Sequence, residues 1–301
     1  MRVLVTGGLG YLGSGLIRIL KETSKVEEIV VLDNQRSGRI EAFYGLNDPR
    51  FRYIDGDISD VYDLDFALEG VDCLIHLAAL VNTPLGVYDG SALYTNNING
   101  TEALMEKAKA AGVSDVIFAS SLSVYGPVDQ EGKVHFGLSP YPKSKLAAEK
   151  IILDIANNSG MNSWILRCGI LYGKAPVGHF DSFVNGMVLQ AALRRRVTVF
   201  GSGQQRRGVT NITQAASTIK DCLNHKISPG IYDVFDAVVS PLNIVEILRK
   251  LDQMLEVSYT DQDVRVRYDI LPQGDERIEQ LNVLEERVTE LFRDYTLFLN
   301  S

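Results

Sequence analysis

Short apolar runs alternate with stretches of helical period through the first half of the chain. The runs at residues 3–6, 28–32, 51–55, 72–77, 116–119 and 163–166 are rich in Val, Ile, Leu and Phe. Gly, Asp, Asn and Ser bound them, so they predict six strands. Between them, apolar residues recurring at helical spacing predict helices over 11–23, 58–68 and 91–111, the last ending at Gly112 as a C-cap would. Another helix starts at Tyr141 and carries Lys145, Ala148 and Ile152 to about residue 158. Strands alternating with helices predict an α/β fold, a doubly wound parallel sheet with helices on both faces.

Beyond Arg167 the pattern loosens. Helical stretches at 181–195, 211–224 and 242–255 are separated by short β-like runs at 197–200, 231–234 and 264–267, and a charged, Leu-rich helix is expected over 277–299. This predicts a sheet domain over residues 1–170, to which about 208–225 returns, and a smaller α/β C-terminal lobe over 171–301 that binds substrate.

Composition narrows the partners. With 301 residues and 46% hydrophobic content the chain can bury a large core. A net charge of −8 opposes binding to nucleic acid or an anionic membrane. The basic run Arg194-Arg195-Arg196 reads as a helix C-terminus. No apolar stretch is long enough to span a bilayer, and Met1 leads directly into a strand-like run, leaving no room for a leader peptide. Cys73, Cys168 and Cys222 are scattered in apolar surroundings and fit reduced thiols better than disulfides or a metal site. The expectation is a cytoplasmic protein acting on a small molecule.

Chemistry enters through two motifs. Thr6-Gly7-Gly8-Leu9-Gly10-Tyr11-Leu12-Gly13 follows the first predicted strand and opens a helix. Glycines there let a turn close, let backbone N–H groups approach a pyrophosphate, and let helix pack on strand. Asp33, about twenty residues past the last glycine, is placed to bind adenosine ribose hydroxyls and to repel a 2′-phosphate. The cofactor is therefore expected to be NAD rather than NADP, although Arg36 would offset part of that repulsion. Tyr141 and Lys145, at i and i+4, project from one helix face. A phenol with a pKa of about 10 is a poor base at neutral pH. A nearby ammonium lowers that value, so the Tyr can accept a proton from a sugar or alcohol hydroxyl as hydride leaves.

The glycine pattern and Asp33 are followed in order by Gly56-Asp57-Ile58, His76-Leu77-Ala78-Ala79, Asn97-Ile98-Asn99-Gly100-Thr101, Ser120-Ser121-Leu122-Ser123-Val124-Tyr125-Gly126 and Tyr141 to Lys145. Together these resemble the extended short-chain dehydrogenases/reductases, the nucleotide-sugar epimerase/dehydratase family, and most of all UDP-galactose 4-epimerases. The resemblance covers roughly residues 1–215. It implies a Rossmann-type sheet and a cofactor site made of Gly7, Gly10, Tyr11, Leu12, Asp33, Asn34, Asp57, Ile58, Leu77, Ala78, Ala79, Tyr141 and Lys145. It also implies catalysis by Ser121, Tyr141 and Lys145, substrate contacts from Ser121, Ser123, His179 and Arg207, and a homodimer. The helices over 91–111 and 141–158 would pair across that dimer, with Leu104, Ala108, Leu146 and Ile152 available for core or interface.

Departures from the family pattern narrow the reaction. Dehydratases carry an acidic pair where this chain has Leu122 and Ser123, and sugar-acid decarboxylases carry Glu at the position of Ser123. Neither branch fits. The family's Asn three residues after Arg167 is Ile170 here, and Leu271-Pro272-Gln273-Gly274-Asp275 lacks the Arg of the family's Arg-x-Gly-Asp. Arg265, Arg267 or Arg277 would have to compensate. The usual Trp-Pro pattern near the C-terminus is absent, Trp164 being the sole tryptophan. The expected function is an NAD-dependent nucleotide-sugar 4-epimerase working through a 4-keto intermediate. A sugar or secondary-metabolite ketoreductase or dehydrogenase of the same family is the alternative, and a non-catalytic dinucleotide-binding protein a further one.

Overall fold

The computed structural model describes the chain except residues 37–38, 82–89, 129–137, 261–267, 273–280 and 301, with backbone alone at 40 and 298–300. The six expected strands of the first half all form: β1 (Arg2–Thr6), β2 (Glu28–Asp33), β3 (Phe51–Asp55), β4 (Cys73–His76), β5 (Asp115–Ser121) and β6 (Asn162–Cys168). Helices α1 (Tyr11–Lys21), α2 (Val61–Ala67), α3 (Gly90–Tyr94), α4 (Gly100–Ala110) and α5 (Pro140–Ser159) connect or flank them. The helix expected over 91–111 is not uniform. Between α3 and α4 the turn Thr95–Asn99 is π-helical, widened by one residue.

After β6 come β7 (Ile170–Tyr172), α6 (Phe183–Arg194), β8 (Arg196–Phe200), β9 (Arg207–Asn211), α7 (Ile212–Leu223), β10 (Gly230–Val234), β11 (Ala237–Val239), α8 (Pro241–Leu251), β12 (Glu256–Thr260) and α9 (Leu281–Asn300). The run expected at 264–267 lies outside the described residues, as do Arg265, Arg267 and Arg277.

Strands pair in the order β10-β6-β5-β4-β1-β2-β3, all parallel. Apolar runs rather than strict alternation are what such a sheet requires, because both faces are covered. On one face Val3, Val5, Ile29, Val31, Ile117, Trp164 and Leu166 pack under α1 and α7. On the other, Leu4, Val30, Leu32, Val116, Phe118 and Ile165 pack under α2, α4 and α5. Helix α7 is capped by the Asn211 side chain accepting from Thr213 N–H. The run at 231–234, expected in the smaller lobe, instead supplies the edge strand β10.

A third core holds the remainder. Val184, Val188, Val209, Val239, Ile244, Leu248, Leu284 and Val288 bring α6, β9, β11, α8 and α9 together. Two small sheets, β11-β9-β7 and β12-β8, complete it among the described residues. Asp236 anchors α9 there: Arg287 donates to its carboxylate at 2.6 Å, Tyr172 at 3.0 Å and the Asn211 N–H at 2.6 Å.

Leu104, Ala108 and Ile152, considered for a dimer contact, are fully buried against their own sheet and offer nothing to a partner. The three cysteines are buried and free. Among the described residues no helix is long and apolar enough to cross a membrane.

Backbone packs tightly on backbone around the glycine loop. A Cβ on Gly13 would lie 2.5 Å from the Gly7 carbonyl oxygen and 2.6 Å from Gly8 Cα, both backbone atoms with nowhere to yield. Gly13→Ala is expected to cost about 1–3 kcal/mol by overpacking, read as a lowered urea midpoint at unchanged slope.

Candidate active site

The strand order puts β1 beside β4, although the chain runs from β1 outward to β2 and β3 before returning. At that reversal the carboxyl ends of two neighbouring strands diverge and leave a crevice. The glycine loop fills the β1 side. Gly7 has φ +69°, and a Cβ there would lie 2.6 Å from the Ala78 nitrogen. The loop therefore rests on the backbone just past β4, where the Leu77 N–H donates to the Thr6 carbonyl at 3.1 Å. Gly10 caps α1 with no side-chain acceptor, and no acidic residue occupies the first turn. A helix N-terminus so left open suits an anion such as pyrophosphate. Tyr11 and Leu12 form that first turn, with Leu12 buried.

Asp33 ends β2 and binds the same loop. Its Oδ2 accepts from the Leu9 N–H at 3.0 Å and its Oδ1 from the Gln35 N–H at 2.9 Å. Burial pushes its carboxyl up, and those two hydrogen bonds oppose the rise. Gln35 takes φ +49°, and its side chain donates to the Tyr53 hydroxyl, which donates to the Asp33 carbonyl. Asn34 donates to Asp57 at 2.7 Å. Burial of Asp57 is outweighed by its bonds from the Ser59 backbone, Asn34 and the Ser59 hydroxyl, which hold its carboxyl below the ordinary value. Ile58 is buried and leaves room for no more than hydrogen on Gly100, whose Cβ would lie 2.9 Å from Ile58 Cγ1. Leu77, Ala78 and Ala79 are half-buried at the other wall. A cradle with no room for side chains, an open helix end and a carboxylate at the tip of β2 together fit a dinucleotide.

The proposed catalytic residues gather one strand further along. Ser121 ends β5 and caps the 3-10 turn Leu122–Tyr125, its Oγ accepting from the Ser123 N–H at 3.2 Å and the Ser123 hydroxyl at 2.9 Å. Tyr141 sits in the first turn of α5, just after Pro140, with its phenol close to the Ser121 hydroxyl. Lys145, one turn on, donates to the Ala119 carbonyl at 2.7 Å and lies 4.6 Å from the centre of the Phe118 ring. Its ammonium is 4% exposed, and burial pulls it down to about 8, with Cys168 and Glu149 acting the other way. The lowering of the Tyr141 pKa expected from Lys145 does not emerge in this arrangement. Burial pushes the phenol above its ordinary value, and the Ser121 hydrogen bond opposes that rise.

Behind these groups lies a buried ion pair that sequence reasoning missed. Arg167 donates to both oxygens of Glu149, at 3.1 and 2.7 Å, and Glu149 also accepts from the Ser120 hydroxyl. Arg167 also reaches the Tyr125 hydroxyl at 2.9 Å, which donates to Asp233 at 2.8 Å. Glu149 falls four residues after Lys145 on the same helix. That periodicity was a readable signal; its partner on β6 was not.

His179 and Arg207 lie apart from this cluster. His179 meets the edge of the Tyr11 ring at 5.5 Å and pairs with Asp181 at 3.1 Å. Burial lowers its pKa, against the pull of Asp181. It thus belongs to the start of α1. Asn185, also missed, organises that corner: it accepts from the Gly173 N–H and donates to the Tyr11 hydroxyl and the His179 carbonyl. An amide inside the apolar run of α6 was its only trace in the sequence. Of the Arg206-Arg207 pair, Arg206 binds Asp269 at 2.7 Å. Arg207 turns its guanidinium to the carbonyls of Arg206 and Tyr268, and burial pulls it down to about 10. Arg207 stays next to the catalytic turn, since Gly208 abuts Leu122 so closely that a Cβ would lie 2.5 Å from it. Ile170, in the place of the family's Asn, pairs with Val209.

The model of the NAD dependent epimerase/dehydratase family matches residues 3–234. A UDP-glucose 4-epimerase of Halalkalibacterium halodurans is 34% identical over 238 residues, 74% of this chain and 67% of that one. Among solved structures, a UDP-glucuronic acid 4-epimerase from Bacillus cereus, in complex with UDP-glucuronic acid and NAD, superposes with TM-score 0.82 at 25% identity, covering 99% of this chain and 100% of that one. A dTDP-glucose 4,6-dehydratase from Streptomyces venezuelae shares the fold, with TM-score 0.79 at 24% identity, covering 98% and 97%.

The buried ammonium gives a test of the site's electrostatics. Lys145 falls from an ordinary 10.5 to about 8, so between those values the folded chain binds fewer protons than the unfolded one. Stability then rises with pH across that window, and the cost of charged Lys145 is fully present below about 8. Lys145→Met removes it. The variant should gain on the parent at pH 7 relative to pH 10.5, measured by denaturant unfolding over that range. A stability difference independent of pH would contradict the assignment.

Proposed function

The chain belongs to the NAD dependent epimerase/dehydratase family and is an NAD-dependent enzyme; from that premise we propose that it is a nucleotide-sugar 4-epimerase. The observation that carries the proposal is the placement of Tyr141, in the first turn of α5, beside Ser121 at the end of β5, in a turn whose next two residues are Leu122 and Ser123. A proton acceptor and a hydroxyl to share the reacting oxygen are present; an acid beside them to expel water is not. The buried carboxylate of Glu149 cannot fill that role, because Arg167 and Ser120 already occupy its oxygens.

Bound NAD would accept a hydride from the sugar carbon and return it. Gly7, Gly10, Tyr11 and Leu12 would hold its pyrophosphate, Asp33 and Asn34 its adenosine ribose, and Asp57 and Ile58 its adenine. Leu77, Ala78, Ala79 and Lys145 would line the nicotinamide end. On the sugar, Tyr141 takes the proton of the 4-hydroxyl and later gives it back. Ser121 hydrogen-bonds the same oxygen, held in orientation by Ser123. Lys145, mostly protonated at neutral pH, puts a buried positive charge one helical turn from Tyr141, although burial still holds the phenol above its ordinary value. Arg207, a half-buried cation bonded to carbonyls, would face the diphosphate, and His179 would border the cofactor end.

Tyr141→Phe removes the proton acceptor and keeps the ring. It should lose about 10²- to 10⁴-fold in kcat while still binding NAD by calorimetry. UDP-glucose, UDP-N-acetylglucosamine and UDP-glucuronic acid, each incubated with NAD and followed by NMR, should show one 4-epimer. A 4-keto-6-deoxy sugar would overturn the proposal, and NADH formed in step with product would move it to a dehydrogenase.

A further inference from the structure

The chain after β7 runs along one face of α1 and ties together segments that no step above connects. Tyr11, Ser14, Gly15 and Arg18 recur at helical spacing on α1 and make up that face. The Tyr11 hydroxyl donates to the Gly173 carbonyl at 2.5 Å, and a Cβ on Gly15 would lie 4.0 Å from the Ala175 methyl. The Val177 N–H donates to the Ser14 hydroxyl at 3.4 Å, and the Val177 side chain is fully buried in the core that includes Leu12 and Leu16. At Gly178 the chain turns so sharply that a Cβ there would strike the Phe180 ring. The Gly178 carbonyl accepts from Arg39 at 2.5 Å. Arg39 lies six residues past Asp33, so a side chain from beyond the tip of β2 reaches the segment beyond β7. The neighbouring His179 meets the Tyr11 ring, which places this crossing beside the first turn of α1.

Helix α9 holds the same segment from outside. Lys174 pairs with Asp294 at 2.9 Å, and the Phe180 and Tyr295 rings meet edge to face with centroids 5.8 Å apart. The helix is itself fixed nearer its start by Arg287 on Asp236 and by the buried Leu284, Val288 and Leu291. Its contacts with the segment are of a weaker kind. Phe180 is 48% exposed, and the Lys174–Asp294 pair faces solvent, where such a pair contributes little. Few, solvent-reached contacts are those that part first when a segment opens.

We propose that residues 173–181 are a clasp beside the pyrophosphate site, closed by Arg39 at one end and latched by the end of α9 at the other, which opens to admit and release the dinucleotide. Opening parts Arg39 from Gly178 and Phe180 from Tyr295 and leaves every strand of the parallel sheet paired. The dinucleotide passes only through the open form, so its rates of entry and release both scale with the open fraction. A side chain that merely touched the dinucleotide would change release and leave entry alone. The clasp has this role only if pyrophosphate lies at the start of α1, as proposed above.

NADH fluorescence reads both rates without turnover. Stopped-flow mixing with cofactor-free protein gives entry, and displacement by excess NAD gives release. Arg39→Met removes the donor to Gly178 and should raise both rates about tenfold, with Kd within about threefold of the parent. Arg39→Lys keeps a cationic donor and should fall back toward the parent. Phe180→Ala, at the α9 end, should raise both rates about threefold or more. Faster release with unchanged or slower entry in Arg39→Met would make Arg39 a direct ligand of the cofactor and overturn the clasp. Rates equal to the parent's in either folded variant would overturn it too. Should Phe180→Ala fail to fold, the ranking of Arg39→Met, Arg39→Lys and parent decides it. Asp33→Ala measured alongside keeps the two readings apart. If its NAD affinity by calorimetry matches the parent's, the placement of the dinucleotide fails. If it binds weakly while Arg39→Met and Phe180→Ala keep the parent's rates, only the clasp fails.

Discussion

Everything in the site depends on how closely the glycine loop approaches the backbone just past β4. Gly7 lies so near Ala78 that a side chain would displace main chain rather than a flexible neighbour, and Gly13 lies equally near Gly7 and Gly8. The approach brings the open end of α1, the tip of β2 and the edge of β4 around one crevice. Asp33 reinforces it by accepting from Leu9 inside the loop. That carboxylate therefore shapes the pocket as well as facing it, and its hydrogen bonds from the Leu9 and Gln35 N–H groups oppose the rise that burial causes.

The catalytic groups face a different constraint, the cost of charge away from water. Burial moves Tyr141 up and Lys145 down, each against the ionised state that proton transfer needs. The fold answers with fixed partners. Lys145 has the Ala119 carbonyl and the Phe118 ring, and Tyr141 has Ser121. Glu149 is spent on Arg167 and Ser120. The proposed reversible oxidation at one carbon needs no further acid from this set.

Much of this was legible in the residues because local rules and tertiary packing agree there. The six leading strands, α1 and its glycines, and the placement of Tyr141 and Lys145 one turn apart on α5 each carry a pattern of short range. What escaped notice depended on partners distant in sequence. Glu149 meets Arg167, Asn185 meets Tyr11, and Asn97 meets Leu80 and Ser144, and each reads from sequence as an ordinary polar residue in a helix. Nothing in the run at 231–234 distinguishes a strand of the smaller lobe from the edge strand β10, because pairing with β6 is a matter of where α7 returns the chain. The same reason moved Leu104, Ala108 and Ile152 from a possible contact surface into the core.

An epimerase regenerates its dinucleotide in each cycle and gains by keeping it, so the proposed function requires a cofactor that stays bound through turnover. Mass spectrometry of the small molecules released when purified protein is denatured, before and after many turnovers with UDP-glucose, tests this directly. The account predicts NAD at close to one per chain in both samples, with the 4-epimer as product. Release of NADP in its place, or conversion of the bound NAD to NADH in proportion to product, would contradict it.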